Sequence, residues 1–165
     1  MIKDHTCVAE TVGRFEGFIA KYMGDGVLAY FGYPRAQEDS AERALRAGLA
    51  LVDRIGRLDL AFGKLEIRIG VATGLVVVGD LVGTGDSHER GVVGETPNLA
   101  ARLQALAEPN TVLIAESTRR LVGALFEYRN LGSVEVKGLA EPVLLWQVLR
   151  PGNVLSRFEA LRAPY

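Results

Sequence analysis

The sequence has little of three features that mark particular classes of protein: cysteine, charge of one sign and long apolar runs. Cys7 is the single cysteine among 165 residues. One cysteine can form neither an intramolecular disulfide framework nor a cysteine-based metal site, which favours a protein of a reducing compartment. Nineteen Lys and Arg residues against twenty Asp and Glu residues leave a formal charge of −1. This balance gives no support to a nucleic-acid-binding surface, which needs excess positive charge.

Apolar runs are also too short for a membrane span, which needs about 20 residues. Residues 47–52, counting Gly48, form one of the longest. The first five residues contain no apolar segment of the kind found in secretory signals. We therefore expect no membrane partner and a cytoplasmic location.

What is present is enough for one compact domain, because 48% of the residues are hydrophobic. Apolar spacing predicts a first helix that ends near Gly17. Residues 18–22 and 27–31 then read as two strands of a hairpin around Gly24 and Gly26. A second helix with a continuous apolar face follows from Ala41 onwards.

The second half of the chain predicts further short elements. Strands are expected at 65–73, 75–81, 111–115, 126–128, 133–136 and 143–149. Helices are expected after Pro97, with Leu99, Leu103 and Leu106 facing inwards, and at 116–122. Paired strands between helices predict an α+β fold with an antiparallel or mixed sheet, similar to a ferredoxin-like core whose opening strand is missing.

The hairpin carries two candidate functional residues. Asp25 stands between two glycines at its tip and could ligate a hard cation such as Mg²⁺, although Asp-Gly is also an ordinary turn pair. Lys21 lies four residues earlier, an even spacing that points both side chains to one face of the strand. A solvent-facing lysine is the alternative.

The second candidate group lies further along the chain. Asn98 and Arg102 are four residues apart on one helix face, where an arginine fork suits phosphate and an asparagine can orient a sugar or base. Gly91 belongs to the preceding segment, whose glycines would let a ligand approach the backbone. Lys137, beside Gly138, could bind phosphate as a point charge. A plain polar helix face and an ordinary loop lysine are the alternatives.

Together these segments resemble the class III adenylate/guanylate cyclase catalytic domain over roughly residues 8–149. The most specific blocks are Lys21-Tyr22-Met23-Gly24-Asp25-Gly26 and Gly94-Glu95-Thr96-Pro97-Asn98-Leu99-Ala100-Ala101-Arg102. Residues 38–44, 67–74 and 136–138 match in the same order. The resemblance implies a head-to-tail homodimer that converts ATP, or less readily GTP, into the 3′,5′-cyclic nucleotide at its interface.

The resemblance also implies a role for each candidate. Asp25 corresponds to one of two aspartates that hold two Mg²⁺ or Mn²⁺ ions. Lys21 corresponds to the purine-binding lysine and Asn98 to the residue that orients the ribose. Arg102 corresponds to the arginine that stabilises the transition state, and Lys137 to the phosphate-binding lysine.

Two departures from the family pattern produce further expectations. Gly91 stands where the family reads the purine with a side chain, so we expect loose purine specificity. The segment that carries the other metal aspartate is absent from the chain. A truncated, catalytically silent module that dimerises or binds nucleotide is therefore the second hypothesis.

The resemblance also divides the chain. We expect a catalytic domain over residues 1–149. Residues 150–165 resemble the linker to an ATPase and repeat region in some bacterial cyclases.

Overall fold

The structure, a computed structural model, describes residues 2–24, 26–62, 65–76 and 95–152. In that part of the chain the helices are α1 (Ile2–Arg14), α2 (Ser40–Phe62), α3 (Glu95–Leu106) and α4 (Glu116–Val122). The strands are β1 (Phe18–Met23), β2 (Gly26–Tyr30), β3 (Arg68–Val71), β4 (Thr111–Ala115), β5 (Phe126–Val134) and β6 (Val143–Pro151). A short 3₁₀ turn, Gly123–Leu125, connects α4 to β5.

The strands form two sheets. β1 and β2 pair as the predicted antiparallel hairpin, and the pairing extends to Met23 opposite Gly26, one residue beyond each predicted strand. The other four strands are ordered β3-β4-β6-β5, with β3 parallel to β4 and the remaining pairs antiparallel. The predicted α+β fold with a mixed sheet and packed helices is confirmed.

Helix α2 covers one face of the four-stranded sheet. Its Leu45 is fully buried in a cluster with Val112 and Ile114 of β4 and Val148 of β6. Ion pairs between residues four apart, such as Glu42 with Arg46 at 2.8 Å, line its polar side. The apolar face that the sequence predicts is therefore the face that contacts the sheet.

Helix α3 covers the opposite face of the sheet. Leu103 is fully buried against Leu113 of β4 and Leu145 of β6. The prediction that Leu106 faces inwards is wrong, because this side chain is 38% exposed. Ala107, four residues after Leu103 and 4% exposed, fills the inward position instead.

Helix α1 packs against α2 and the hairpin. Cys7 is buried against Leu51 and Ile55 of α2. At the C-terminal end of α1, Glu16 accepts hydrogen bonds from Gln37 and Arg43, both at 2.8 Å. These contacts tie the segment that enters the hairpin to the start of α2.

Helix α4 is joined to β5 and β6 by a polar and aromatic cluster. The Trp146 indole N–H donates to Glu116 at 2.7 Å, and the Arg119 guanidinium lies 4.5 Å from the Trp146 ring centroid. Tyr128 packs edge-on against Trp146 and donates its hydroxyl to the carbonyl of Gly123. Burial raises the pKa of Tyr128 to about 12, although the charge of Arg119 acts in the opposite direction.

Four strand predictions differ from the structure or lie partly outside it. The predicted strands at 126–128 and 133–136 form the single strand β5, which passes Gly132 at φ +83° through a register shift. The strand predicted at 65–73 is limited to β3. Residues 77–81 of the next predicted strand, and 153–165 of the predicted linker, lie outside the described residues. Among the helices that the structure describes, none has the length and apolarity that crossing a membrane requires.

Candidate active site

Helix α3 supplies the first wall of the candidate site. Because Leu103 is held in the core, the exposed side of the helix carries Asn98 and Arg102 one turn apart. This arrangement agrees with the shared face predicted for the two side chains.

The loop between β5 and β6 supplies the second wall. The Leu139 N–H donates to the Val136 carbonyl at 3.0 Å, which closes a tight turn over Lys137 and Gly138. Gly138 has φ +93°, the conformation that the third position of a type II turn requires and that glycine adopts without strain. Val136 is buried while Lys137 is exposed, so the turn presents the lysine ammonium at the surface.

Two adjoining clefts lie between these walls. The first, of about 420 Å³, is lined by Glu95, Asn98, Leu99, Arg102 and residues 136–139. The second, of about 510 Å³, is lined by Arg102, Glu135 and residues 136–142. The clefts share Arg102 and the Lys137 turn, so the structure brings Asn98 and Arg102 of one helix together with Lys137, which is far from them in the sequence.

The charges of this groove are unevenly distributed. Both cations, Arg102 of α3 and Lys137 of the turn, line both clefts, and we call the surface that these two side chains form the shared wall. Glu95 lines one cleft, and Glu135 and Glu141 line the other. An anionic group such as a phosphate chain is therefore favoured at the shared wall and disfavoured at the outer ends.

Sequence reasoning missed the three carboxylates of the groove. Glu95 precedes Asn98 by three residues and Arg102 by seven, which is the spacing of one helix face and could have identified it. Glu135 and Glu141 flank the Lys137 turn on the β5–β6 connection, and their place in the groove depends on a contact with α3 that spacing does not reveal.

Of the remaining candidates, the structure describes Lys21 and does not describe Asp25 or Gly91. Lys21 lies half-buried on β1 opposite Leu28, immediately after a register shift, and does not line either cleft. Asp25 and Gly91 lie outside the described residues. Within the described ranges, no three His, Cys, Asp or Glu side chains come together as a metal site.

Comparison with known proteins shows the family to which most of the chain belongs. Residues 3–149 match the family described as the adenylate and guanylate cyclase catalytic domain. An uncharacterized protein of Rhizobium meliloti (strain 1021) is 35% identical over 154 residues, which cover 92% of this chain and 15% of that protein. The chain spans between 15% and 27% of the first curated relatives that it matches.

Solved structures share the fold. The adenylyl cyclase CyaB from P. aeruginosa superposes with a TM-score of 0.81 at 29% identity, covering 93% of this chain and 82% of that one. The guanylyl cyclase Cya2 superposes with a TM-score of 0.78 at 31% identity, covering 91% of this chain and 78% of that one. The chain belongs to the adenylate and guanylate cyclase catalytic domain family.

Proposed function

We propose that this chain is the catalytic domain of a purine nucleotide cyclase, acting on ATP and less readily on GTP. The observation that carries the proposal is the meeting of Asn98, Arg102 and Lys137 around two adjoining clefts. In the proposed reaction, the ribose 3′-hydroxyl oxygen attacks the α-phosphorus. The bond from that phosphorus to the bridging oxygen breaks, pyrophosphate leaves, and the hydroxyl proton passes to solvent.

Arg102 and Lys137 have the chemistry to hold the triphosphate. The arginine presents a planar fork of donors, whereas the lysine ammonium is a compact charge on a rigid turn. Negative charge moves from the α-phosphate towards the leaving pyrophosphate as the reaction proceeds. A cation on the wall common to both clefts is suited to stabilise that charge in the transition state.

Asn98 is proposed to orient the ribose. It lies one helical turn from Arg102 and lines the first cleft but not the second. Its amide can donate to one sugar oxygen and accept from a hydroxyl. A nucleotide with its ribose in the first cleft and its phosphates at the shared wall would contact all three side chains.

The remaining parts of the proposal rest on the family resemblance. Asp25 is the residue proposed to hold Mg²⁺ or Mn²⁺, which when bound neutralises the triphosphate and acidifies the 3′-hydroxyl. Lys21 is proposed to contact the purine beside Gly91. A head-to-tail homodimer is proposed to complete each site. Residues 1–149 are the proposed extent of the domain, followed by a linker.

The test measures cyclic nucleotide formation from ATP and from GTP with Mn²⁺ or Mg²⁺, for the unaltered chain and for Arg102→Ala. We expect Arg102→Ala to lower turnover by about 10²–10³-fold, as loss of a transition-state donor does. Arg57→Ala is the matched control, because Arg57 is an exposed arginine of α2 that pairs with Asp53 and lines neither cleft.

Two results would contradict the proposal. Equal turnover in Arg102→Ala and Arg57→Ala would show that Arg102 and its groove take no part in the reaction. Nucleotide binding by the unaltered chain, with no cyclic product from either nucleotide, would favour the silent binding module over the enzyme.

A further inference from the structure

Helix α3 lies so close to β3 and the segment after it that a side chain does not fit at two glycines without a shift. A Cβ atom added at Gly70 would lie 2.4 Å from the carbonyl oxygen of Ala100 and 2.5 Å from the amide nitrogen of Gln104. A Cβ added at Gly74 would lie 2.4 Å from the Thr96 hydroxyl oxygen. The sequence alone places Gly70 within a predicted strand and Gly74 directly after it, and does not reveal their contacts with α3.

Contacts on the face of the sheet opposite α3 hold β3 and the residues after it in place. Ile69 and Val71, which alternate with Gly70, pack against the core beneath α2 on the opposite face of the sheet. Just before Gly74, the Thr73 hydroxyl lies 2.8 Å from the fully buried hydroxyl of Thr118 on α4. A side chain added on the α3 face would therefore displace α3 rather than β3.

The same helix carries two of the residues in the groove. Ala100 and Gln104, which lie over Gly70, flank Arg102 in the sequence, and Thr96 lies two residues before Asn98. The Lys137 turn belongs to a different connection, between β5 and β6. The depth of α3 on the sheet therefore sets how far Asn98 and Arg102 stand from Lys137.

We propose that Gly70 and Gly74 are positioning residues that set the depth of α3 and thereby assemble the groove; this inference rests on the proposed function. To clear an added Cβ at Gly70, the helix backbone must retreat by at least about half an ångström. Because catalysis depends on reacting groups being held to within about 1 Å, a small retreat is enough to disturb the site.

The test uses two direct readouts besides turnover. Amide hydrogen exchange reports on α3, and calorimetric titration with tripolyphosphate reports on anion binding by Arg102 and Lys137 without a purine or a reaction. In Gly70→Ala we expect about tenfold faster exchange in α3, about tenfold weaker tripolyphosphate binding and about 10²-fold lower turnover.

Matched variants separate positioning from general destabilisation. Gly56→Ala adds a methyl group where nothing lies within 4 Å and should leave tripolyphosphate binding and turnover unchanged. Ile114→Val truncates the core on the α2 side of the sheet and should lower stability while tripolyphosphate binding stays unchanged.

A second pair of variants decides the matter if Gly70→Ala does not fold. Gly74→Ala should weaken tripolyphosphate binding, because its Cβ would lie 2.4 Å from the Thr96 hydroxyl oxygen and because φ of +159° at this position strains any side chain. Adding Thr96→Ala removes the close contact but not the backbone strain, and should restore part of the lost binding, with Thr96→Ala alone as the reference. This rescue is not expected of a merely structural role.

Several outcomes would overturn the inference. They are unchanged α3 exchange, unchanged tripolyphosphate affinity in the glycine variants, failure of the Thr96→Ala rescue, or no tripolyphosphate binding by the unaltered chain. If the unaltered chain binds tripolyphosphate but forms no cyclic nucleotide, the proposed function fails while exchange and affinity still decide the role of the glycines.

Discussion

The four-stranded sheet and the β1–β2 hairpin are packed to very different extents. Val112 to Ala115 of β4 are all buried between α2 and α3. In the hairpin only Tyr30 is buried, and Tyr22 and Met23 are 50% and 45% exposed. The candidate site is divided along the same line, because the groove lies on the first region and Lys21 on the second. The residues proposed to bind phosphate, Arg102 and Lys137, are thus supported by a fully buried core. Lys21, proposed to bind the base, lies on a hairpin that is only partly buried.

The largest expected effect on stability comes from a mutation in the tightly packed region, between α3 and the four-stranded sheet. Leu103→Ala should cost about 3 kcal/mol of unfolding free energy, because the side chain is fully buried and the truncation leaves a cavity under α3. Leu28→Ala, in the half-exposed strand β2, should cost about 1 kcal/mol. Urea unfolding followed by circular dichroism measures both. Equal losses would show that the hairpin is packed as tightly as the sheet.

A smaller effect is expected at Lys21, and it tests how the site is divided. Lys21→Ala should raise KM by about tenfold, the loss expected for one charged hydrogen bond to the base, with little change in kcat. Because Gly91 offers no side chain to the purine, ATP and GTP should respond alike. Initial rates over a range of each nucleotide provide the measurement. A fall in kcat as large as that of Arg102→Ala would place Lys21 at the reacting phosphate instead.

The smallest effect concerns two carboxylates, Glu16 just before the hairpin and Glu116 on the helix that packs against the sheet. Hydrogen bonds from Gln37 and Arg43 hold the pKa of Glu16 below its usual value of 4.5. Burial raises the pKa of Glu116, but hydrogen bonds from Trp146 and Arg120 and the charge of Arg119 lower it overall. A depressed pKa in the folded state stabilises the fold above about pH 4.5, and this contribution disappears as the pH falls further.

Thermal unfolding between about pH 6 and pH 3 tests both carboxylates. Glu16→Gln and Glu116→Gln should each lower the melting temperature slightly near neutral pH and flatten its fall in acid. The change should be small, because exposed ion pairs contribute little to stability. A variant whose acid profile matches that of the unaltered chain would show that the carboxylate is unpaired in solution.

Local patterns in the sequence were enough to predict most elements. Helix α4 spans Glu116–Val122 as predicted, because a short apolar strand and a glycine bound it. The hairpin follows from the Gly24-Asp25-Gly26 sequence between two alternating segments. Strand β5 was predicted as two pieces because Gly132 reads as a break, whereas its positive φ and a register shift let the strand continue.

The site was less predictable than the fold. Spacing placed Asn98 and Arg102 on one helix face, but their meeting with Lys137 depends on the β5–β6 turn lying beside α3. The glycine contacts beneath α3 are equally long-range. Such contacts join segments that are distant in sequence, and no periodicity reports them. Resemblance to a family supplied the roles, and the packing of the sheet supplied the geometry.

Trp146 is the single tryptophan of the chain, and its surroundings make it a natural optical probe. Its indole N–H is bonded to the Glu116 carboxylate and its ring lies under the Arg119 guanidinium. The emission of an indole responds to charges this near, so protonation of Glu116 should shift the fluorescence spectrum. Because the hairpin contains no tryptophan, this intrinsic signal reports on the sheet and α4, and a partner that covers the hairpin should leave it unaltered.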